Sequence, residues 1–186
     1  EIVGRPGAWT LVRGGKPYFV KGAGVGESTP DAFARLKAIG GNSVRTWGVG
    51  DDTGKLLDMA HKHGLTVQLG FWLGHASHGF DWTNREMLDK QFAAVRDGVR
   101  KYKNHPALLS YALGNEMEMG EGRDVLWQEV GRLAEMVKKE DPLHPVGTVV
   151  AEIGGNKIDK MIRFAPKLDF LGINSYGRSD TLPERL

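Results

Sequence analysis

The stretch YALGNEMEMG, residues 111–120, ends an apolar run at Gly114 and places an amide, Asn115, beside a carboxylic acid, Glu116. A positioned carboxylic acid can protonate a leaving oxygen, and a neighbouring amide can hold a hydroxyl of the same substrate; cleavage of a glycosidic bond asks for both. On spacing alone, the pair serves equally well as a helix cap beside a solvated acid. Further polar groups follow other apolar runs: Glu27, Arg45, Trp47, Trp72, His75, Glu152, Asn174 and Tyr176. Trp and Tyr rings offer flat apolar faces with one polar handle, suited to stacking on a sugar ring, while carboxylates and amides suit its hydroxyls.

Other chemistries fit less well. Gly22-Ala23-Gly24-Val25-Gly26 lacks the GxGxxG spacing of a dinucleotide loop, and Arg45 and Trp47 stand where that fold needs an acid. His75 and His78 have a metal-like spacing but no third ligand nearby, so neither a metal nor a cofactor is expected. Structural roles compete for several of these residues. Arg45 could pair with a buried acid, Trp47 and Trp72 could be core, and a buried Tyr176 would only need a partner for its hydroxyl. Trp127 and Met136 fit core packing of a helix better than a site.

These groups need elements that bring them together. The chain opens with WTLVRGGKPYFVKGAG, two apolar runs about Gly14-Gly15, which predict a β-hairpin over residues 1–20 entering the first core strand. Strand-like runs then alternate with amphipathic ones. NSVRTWG, LTVQLGFWL, ALLSYALGNE, PVGTVVAEI and LDFLGINSYG read as strands two to six. Helices are predicted over Asp31–Ile39, capped by Thr29 and Pro30, over Lys55–Lys62, from a Thr83-x-x-Glu86 capping box to about Tyr102, over Val125–Lys139 and over Lys157–Phe164. Such alternation implies an α/β fold whose parallel strands are joined by crossover helices. Both a doubly wound sheet and a (β/α)8 barrel place ligands at the carboxyl ends of the strands. Length alone favours the open sheet, since a complete barrel takes about 250 residues.

The 186 residues are 40% apolar and 26% charged, the composition of one globular domain, read here as a single domain over 1–186. A net charge of +2 without a basic block argues against nucleic acid, and no apolar run approaches the ~20 residues of a membrane span. The absence of cysteine excludes disulfides, thiolate metal sites and cysteine nucleophiles but leaves the compartment open. A first residue of Glu1 points to a processed product or a piece of something longer.

At HPALLSYALGNE the sequence resembles the clan A glycoside hydrolases, (β/α)8 retaining enzymes whose fourth strand ends in Asn-Glu, and within the clan it is most similar to the barrel domain of family 2. LVRGGKPYFVKGAG, GGNSVRTWG, FWLGH and GINSYG fall in the family's order at the entering hairpin and at strands two, three and six. The resemblance implies a TIM barrel truncated after about six βα units. It makes Glu116 the general acid/base and Asn115 the donor to the 2-hydroxyl. Arg45 and Tyr176 would orient the nucleophilic carboxylate, and Trp47, Trp72, His75 and His78 would line the sugar site, with Glu152 and Asn174 as further substrate contacts.

Two departures matter. Arg45-Thr46-Trp47 replaces the Arg, His and Pro motif of many family 2 enzymes, so the substrate is expected to differ from galactosides or glucuronides. The family's nucleophile, a Glu ending strand seven, has no counterpart, because the sequence stops just past strand six. Glu152 is a rival second carboxylate, and Glu118 stands two residues beyond Glu116. The expected partner is therefore a carbohydrate, with a bacterial secreted or periplasmic setting implied by the resemblance alone. A non-catalytic sugar-binding barrel and a transglycosylase remain alternatives. Six strands would leave the outer edges of the first and last unpaired, which predicts self-association and poor folding in isolation.

Overall fold

The chain begins with a three-stranded antiparallel sheet, β1 (Ile2–Arg5), β2 (Ala8–Arg13) and β3 (Lys16–Pro17), in a computed structural model that describes residues 1–26, 29–119, 122–177 and 179–185. The predicted hairpin about Gly14-Gly15 is present, and β1 adds a strand that its exposed, weakly apolar residues did not announce. The hairpin is tied to the main body by its side chains: the Tyr18 hydroxyl donates to the Asn42 carbonyl at 2.8 Å, and Arg13 Nη2 to that of Pro106 at 3.1 Å.

Six parallel strands then follow one another across a second, curled sheet: β4 (Gly22–Gly24), β5 (Ser43–Arg45), β6 (Thr66–Phe71), β7 (Leu108–Leu113), β8 (Val146–Ala151) and β9 (Phe170–Asn174). Between them run α1 (Pro30–Ala38), α2 (Thr53–Lys62), α3 (Arg85–Tyr102), α4 (Asp124–Glu140) and α5 (Lys157–Phe164), and a short α6 (Leu182–Arg185) follows β9. Consecutive strands that are also neighbours make half a barrel and not a doubly wound sheet, whose strand order reverses. All six residues of β7 are buried, as a strand covered on both faces requires. The helices pack their apolar stripes on the convex face, with Phe33, Leu57, Val99, Leu126 and Trp127 fully or nearly fully buried. The hairpin's Leu11, together with Val20, approaches the concave face near Gln68 and Ser110, around a cavity of about 440 Å³.

Helix ends follow local chemistry. Thr29 caps α1 as predicted, accepting from the Ala32 N–H at 3.2 Å. The predicted capping box at Thr83 is displaced by one residue: Asn84 caps α3 through the Met87 N–H, and the Thr83 hydroxyl donates instead to Asp81 at 2.7 Å. Asn is at least as good a cap as Thr, and Asp81 competes for the Thr83 hydroxyl within the preceding turn.

A buried polar node closes the far end of α4. Asp141, 3% exposed, accepts from the Tyr111 hydroxyl at 2.7 Å, pairs with His144 Nδ1 at 2.8 Å, and takes the Leu143 N–H at 3.1 Å. Burial pushes its carboxyl up, but the bonds from Tyr111 and His144 outweigh this and hold it below the usual carboxylate range. The Tyr111 hydroxyl is pushed the other way, by burial first and by Asp141 second.

Two outcomes are expected. A carboxyl depressed in the folded state adds stability above its unfolded value and loses it as pH falls through the depressed one. Unfolding free energy measured in urea should therefore decline as pH drops below about 4, less steeply in Asp141→Asn, and Tyr111→Phe should cost about 1–3 kcal/mol at neutral pH. At the sheet edges, β4 and β9 each lack a second neighbour among the described residues. The isolated chain should associate as its concentration rises in analytical ultracentrifugation; a monodisperse monomer with a sharp thermal transition would refute this.

Candidate active site

Parallel pairing aligns the strand ends. Gly24 lies opposite Arg45, Arg45 opposite Gln68, Phe71 opposite Leu113, Leu113 opposite Thr148, and Ala151 opposite Asn174. The residues just past β7, β8 and β9 therefore meet at one rim, with Arg45 reaching up from β5.

Gly114, with φ of 74°, makes the bend that ends β7; a Cβ there would lie 1.9 Å from the Met117 sulfur. Beyond it, Glu116 has φ of 53°, and Glu152 at the end of β8 has φ of 56°; no other non-glycine residue described has a positive φ. Left-handed backbone costs such residues about 1–2 kcal/mol each, so the surroundings must enforce it. Both are pinned by a lateral bond to the next strand, Glu116 N–H to the Val149 carbonyl at 2.8 Å and Glu152 N–H to that of Asn174 at 3.0 Å.

Several of these side chains meet at the rim. Arg45 Nη2 donates to Asn115 Oδ1 at 2.6 Å, and its Nη1 to Asn174 Oδ1 at 3.3 Å. Asn174 Nδ2 donates to Glu116 Oε1 at 2.6 Å and to Asn115 Oδ1 at 3.1 Å. The Tyr176 hydroxyl makes a short hydrogen bond to the same Glu116 oxygen. That bond is the leading cause of a phenol held above its ordinary value. Arg45 is stacked over the Trp47 ring at 5.2 Å and contacts amide oxygens, so the buried acid considered for it is absent among its hydrogen-bond partners described. Burial lowers its guanidinium, against the opposing pull of Glu116. Trp47 lies against Gly24, where a Cβ would stand 2.3 Å from the ring.

Glu152 is engaged with protein. Its Oε1 accepts from the Tyr176 N–H at 2.7 Å and from the Ser175 hydroxyl at 3.2 Å. Glu118 is 94% buried on its side chain, at 6% exposure, and accepts from the Ala151 N–H at 2.8 Å and Lys157 Nζ at 2.9 Å. Neither contact was visible in the spacing; the strand-end position of Glu152 was, but not what its carboxylate would hold.

Trp72, His75 and His78 form a separate group beside this cluster. Trp72 is half exposed at 51% and is not core; its ring stacks on His75 at 4.9 Å, and His75 lies 5.4 Å from His78. All three line a cleft of about 580 Å³ that reaches Gln91 of α3. The two groups adjoin through the backbone, since the Gly114 N–H donates to the Phe71 carbonyl at 2.8 Å. Trp127 and Met136 are buried on α4 and belong to the core. Glu27 lies outside the described residues. No helix among the described residues is long and apolar enough to cross a membrane.

The family model described as glycosyl hydrolases family 2, TIM barrel domain, matches residues 21–181. No curated protein matches the chain. Among solved structures, a β-D-glucuronidase from Dictyoglomus thermophilum is similar with a TM-score of 0.68 at 20% identity over 89% of this chain and 31% of its own. A family 2 glycosyl hydrolase from Bacteroides cellulosilyticus gives 0.66 at 24% identity, over 91% of this chain and 23% of its own. A β-1,4-D-mannanase from Cryptopygus antarcticus gives 0.68 at 15%, over 89% and 70%. The chain thus spans under a third of the glucuronidase and most of the mannanase. With six consecutive parallel strands, a polar rim at their carboxyl ends and a family match over most of its length, the chain belongs to the glycosyl hydrolases of family 2, as part of their TIM barrel domain.

Proposed function

We propose that this chain carries the acid/base half of a retaining β-glycosidase, with Glu116 as general acid and base. The observation that carries the reading is the convergence of Asn115, Asn174, Tyr176 and Arg45 around a Glu116 held in left-handed backbone at the rim. Strain of this kind gathers where a side chain must be presented in one direction.

The hydrogen bonds support a role for each atom in this reading. Asn115 Oδ1 accepts from both Arg45 and Asn174, which leaves its amide NH2 as the end that donates to a sugar hydroxyl. A donor to the 2-hydroxyl strengthens its bond as the oxocarbenium-like transition state forms. Glu116 Oε1 is occupied by Asn174 and Tyr176, so the proton for the leaving oxygen belongs on Oε2. In the first displacement Glu116 gives that proton to the departing alcohol while a second carboxylate attacks the anomeric carbon. In the second, Glu116 takes a proton from water as the water releases the sugar.

The second carboxylate would come from a seventh strand, as the family resemblance implies, at the 5–5.5 Å separation of retaining pairs. Glu152 is the weaker alternative, because its Oε1 is already committed to the Tyr176 N–H and the Ser175 hydroxyl. Arg45 and Tyr176 would border that nucleophile from their places beside Glu116, and Trp47, Trp72, His75 and His78 would stack against flanking parts of a carbohydrate substrate.

The test is Glu116→Gln in the full-length protein, assayed with aryl β-glycosides and, separately, for binding of the released sugar. Turnover should fall by at least about 10³-fold while binding stays within about threefold, since the amide keeps the shape and loses the proton. Equal loss of turnover and binding would remove the acid/base role. An unmodified protein that binds sugars yet turns over none would make the barrel a binding module.

A further inference from the structure

The rim contains a charged contact that the proposed chemistry does not use. Lys157, at the start of α5, spends its ammonium on the ends of two different strands: Nζ donates to Glu118 Oε1 at 2.9 Å, to the Ala151 carbonyl at 2.7 Å and to the Glu152 carbonyl at 3.1 Å. Three N–H bonds are all that an ammonium can give. Glu118 completes the link, because the same Oε1 also accepts the Ala151 N–H at 2.8 Å. The turn after β7, which carries Glu116 and Glu118, is thereby fastened to the turn after β8, which carries Glu152.

The fastening extends to the third turn. Glu152 Oε1 accepts the Tyr176 N–H at 2.7 Å and the Ser175 hydroxyl at 3.2 Å, which fixes where the chain leaves β9. The Tyr176 side chain then reaches back to Glu116. Three consecutive turns and two left-handed residues are thus closed into a ring of contacts: Lys157 to Glu118 and Glu152, Glu152 to Tyr176, Tyr176 to Glu116.

We propose that Lys157 is a positioning residue: held by Glu118, it fixes the left-handed turn at Glu152 and, through the Glu152 carboxylate, the place of the Tyr176 hydroxyl on Glu116. Its three N–H bonds all go to Glu118 and to backbone carbonyls, so it acts only through the turns it grips. The geometry favours this over a surface ion pair, since the Lys157 side chain is 26% exposed and Glu118 6%. An exposed pair would contribute little. Here a broken pair would leave Glu118 charged, buried and short of a donor. The inference rests on Glu116 being the residue that must be placed, but its structural core can be tested without turnover.

The phenol of Tyr176 reports the contact, because its hydrogen bond to Glu116 is what chiefly holds it above the ordinary value. In the full-length protein with ¹³C-labelled tyrosine, the Tyr176 ring signal, assigned by its loss in Tyr176→Phe, would be followed against pH in Lys157→Met. The midpoint should fall toward the ordinary phenol value. In the aryl glycoside assay, kcat should drop about 10–100-fold with KM within about twofold, as expected for a displaced catalytic group. An unchanged midpoint with a lowered melting temperature would overturn the proposal and make Lys157 merely structural. If the unmodified protein hydrolyses no glycoside, the enzymatic reading fails, while the Tyr176 midpoint still decides the positioning role. Should Lys157→Met fail to fold, Glu118→Gln keeps an acceptor for the Ala151 N–H but removes the charge that holds the ammonium, and the same midpoint decides.

Discussion

Everything at the rim depends on parallel strands that pair in sequence order, so that each strand end is bonded to the end of its chain neighbour. Parallel hydrogen bonds are evenly spaced, and a curled sheet of them turns successive ends toward a common axis. Arg45 on β5 can then reach one amide just past β7 and another at the end of β9, although 70 and 129 residues separate them along the chain. The lateral bonds from Glu116 to Val149 and from Glu152 to Asn174 extend the same pairing past the last strand residues, into backbone that would otherwise be free to relax.

That extension explains why two glutamates occupy conformations usually left to glycine. Gly114 provides the bend at the end of β7. Glu116 and Glu152 each follow a buried strand and are gripped on both sides, by the next strand's backbone and by side chains from neighbouring turns. The cost is offset by a set of bonds that forms only when several strands are in register, which couples local geometry to completion of the sheet.

The strands and most helices were legible from period and punctuation, because buried parallel strands read as apolar runs and amphipathic helices as stripes. The rim residues were legible for a different reason. In any fold of this class, the ligand lies at the carboxyl ends of the strands, so Arg45, Asn115, Glu116, Asn174 and Tyr176 could be listed by position before any contact was known. What spacing could not supply was partnership. That Glu118 would hold Lys157, or Glu152 the Tyr176 N–H, depends on side-chain reach across turns tens of residues apart. The Asn84 cap was missed because Thr83 and Asn84 are both good caps, and the choice fell to Asp81. β1 was missed because its apolar content is too low to stand out from a loop.

The contacts around Glu116 have one further consequence. Its partners are a carboxamide, a phenol and, one step removed, a guanidinium and a second carboxamide. Amides do not titrate, and a guanidinium keeps its charge throughout the range in which proteins stay folded. The amides and the guanidinium of this cradle therefore keep the same charge from mildly acidic to mildly alkaline solution. What can still change on the alkaline side is the phenol of Tyr176, whose bond to Glu116 holds it above its ordinary value, so the scaffold gripping the carboxylate is indifferent to protons across the neutral range.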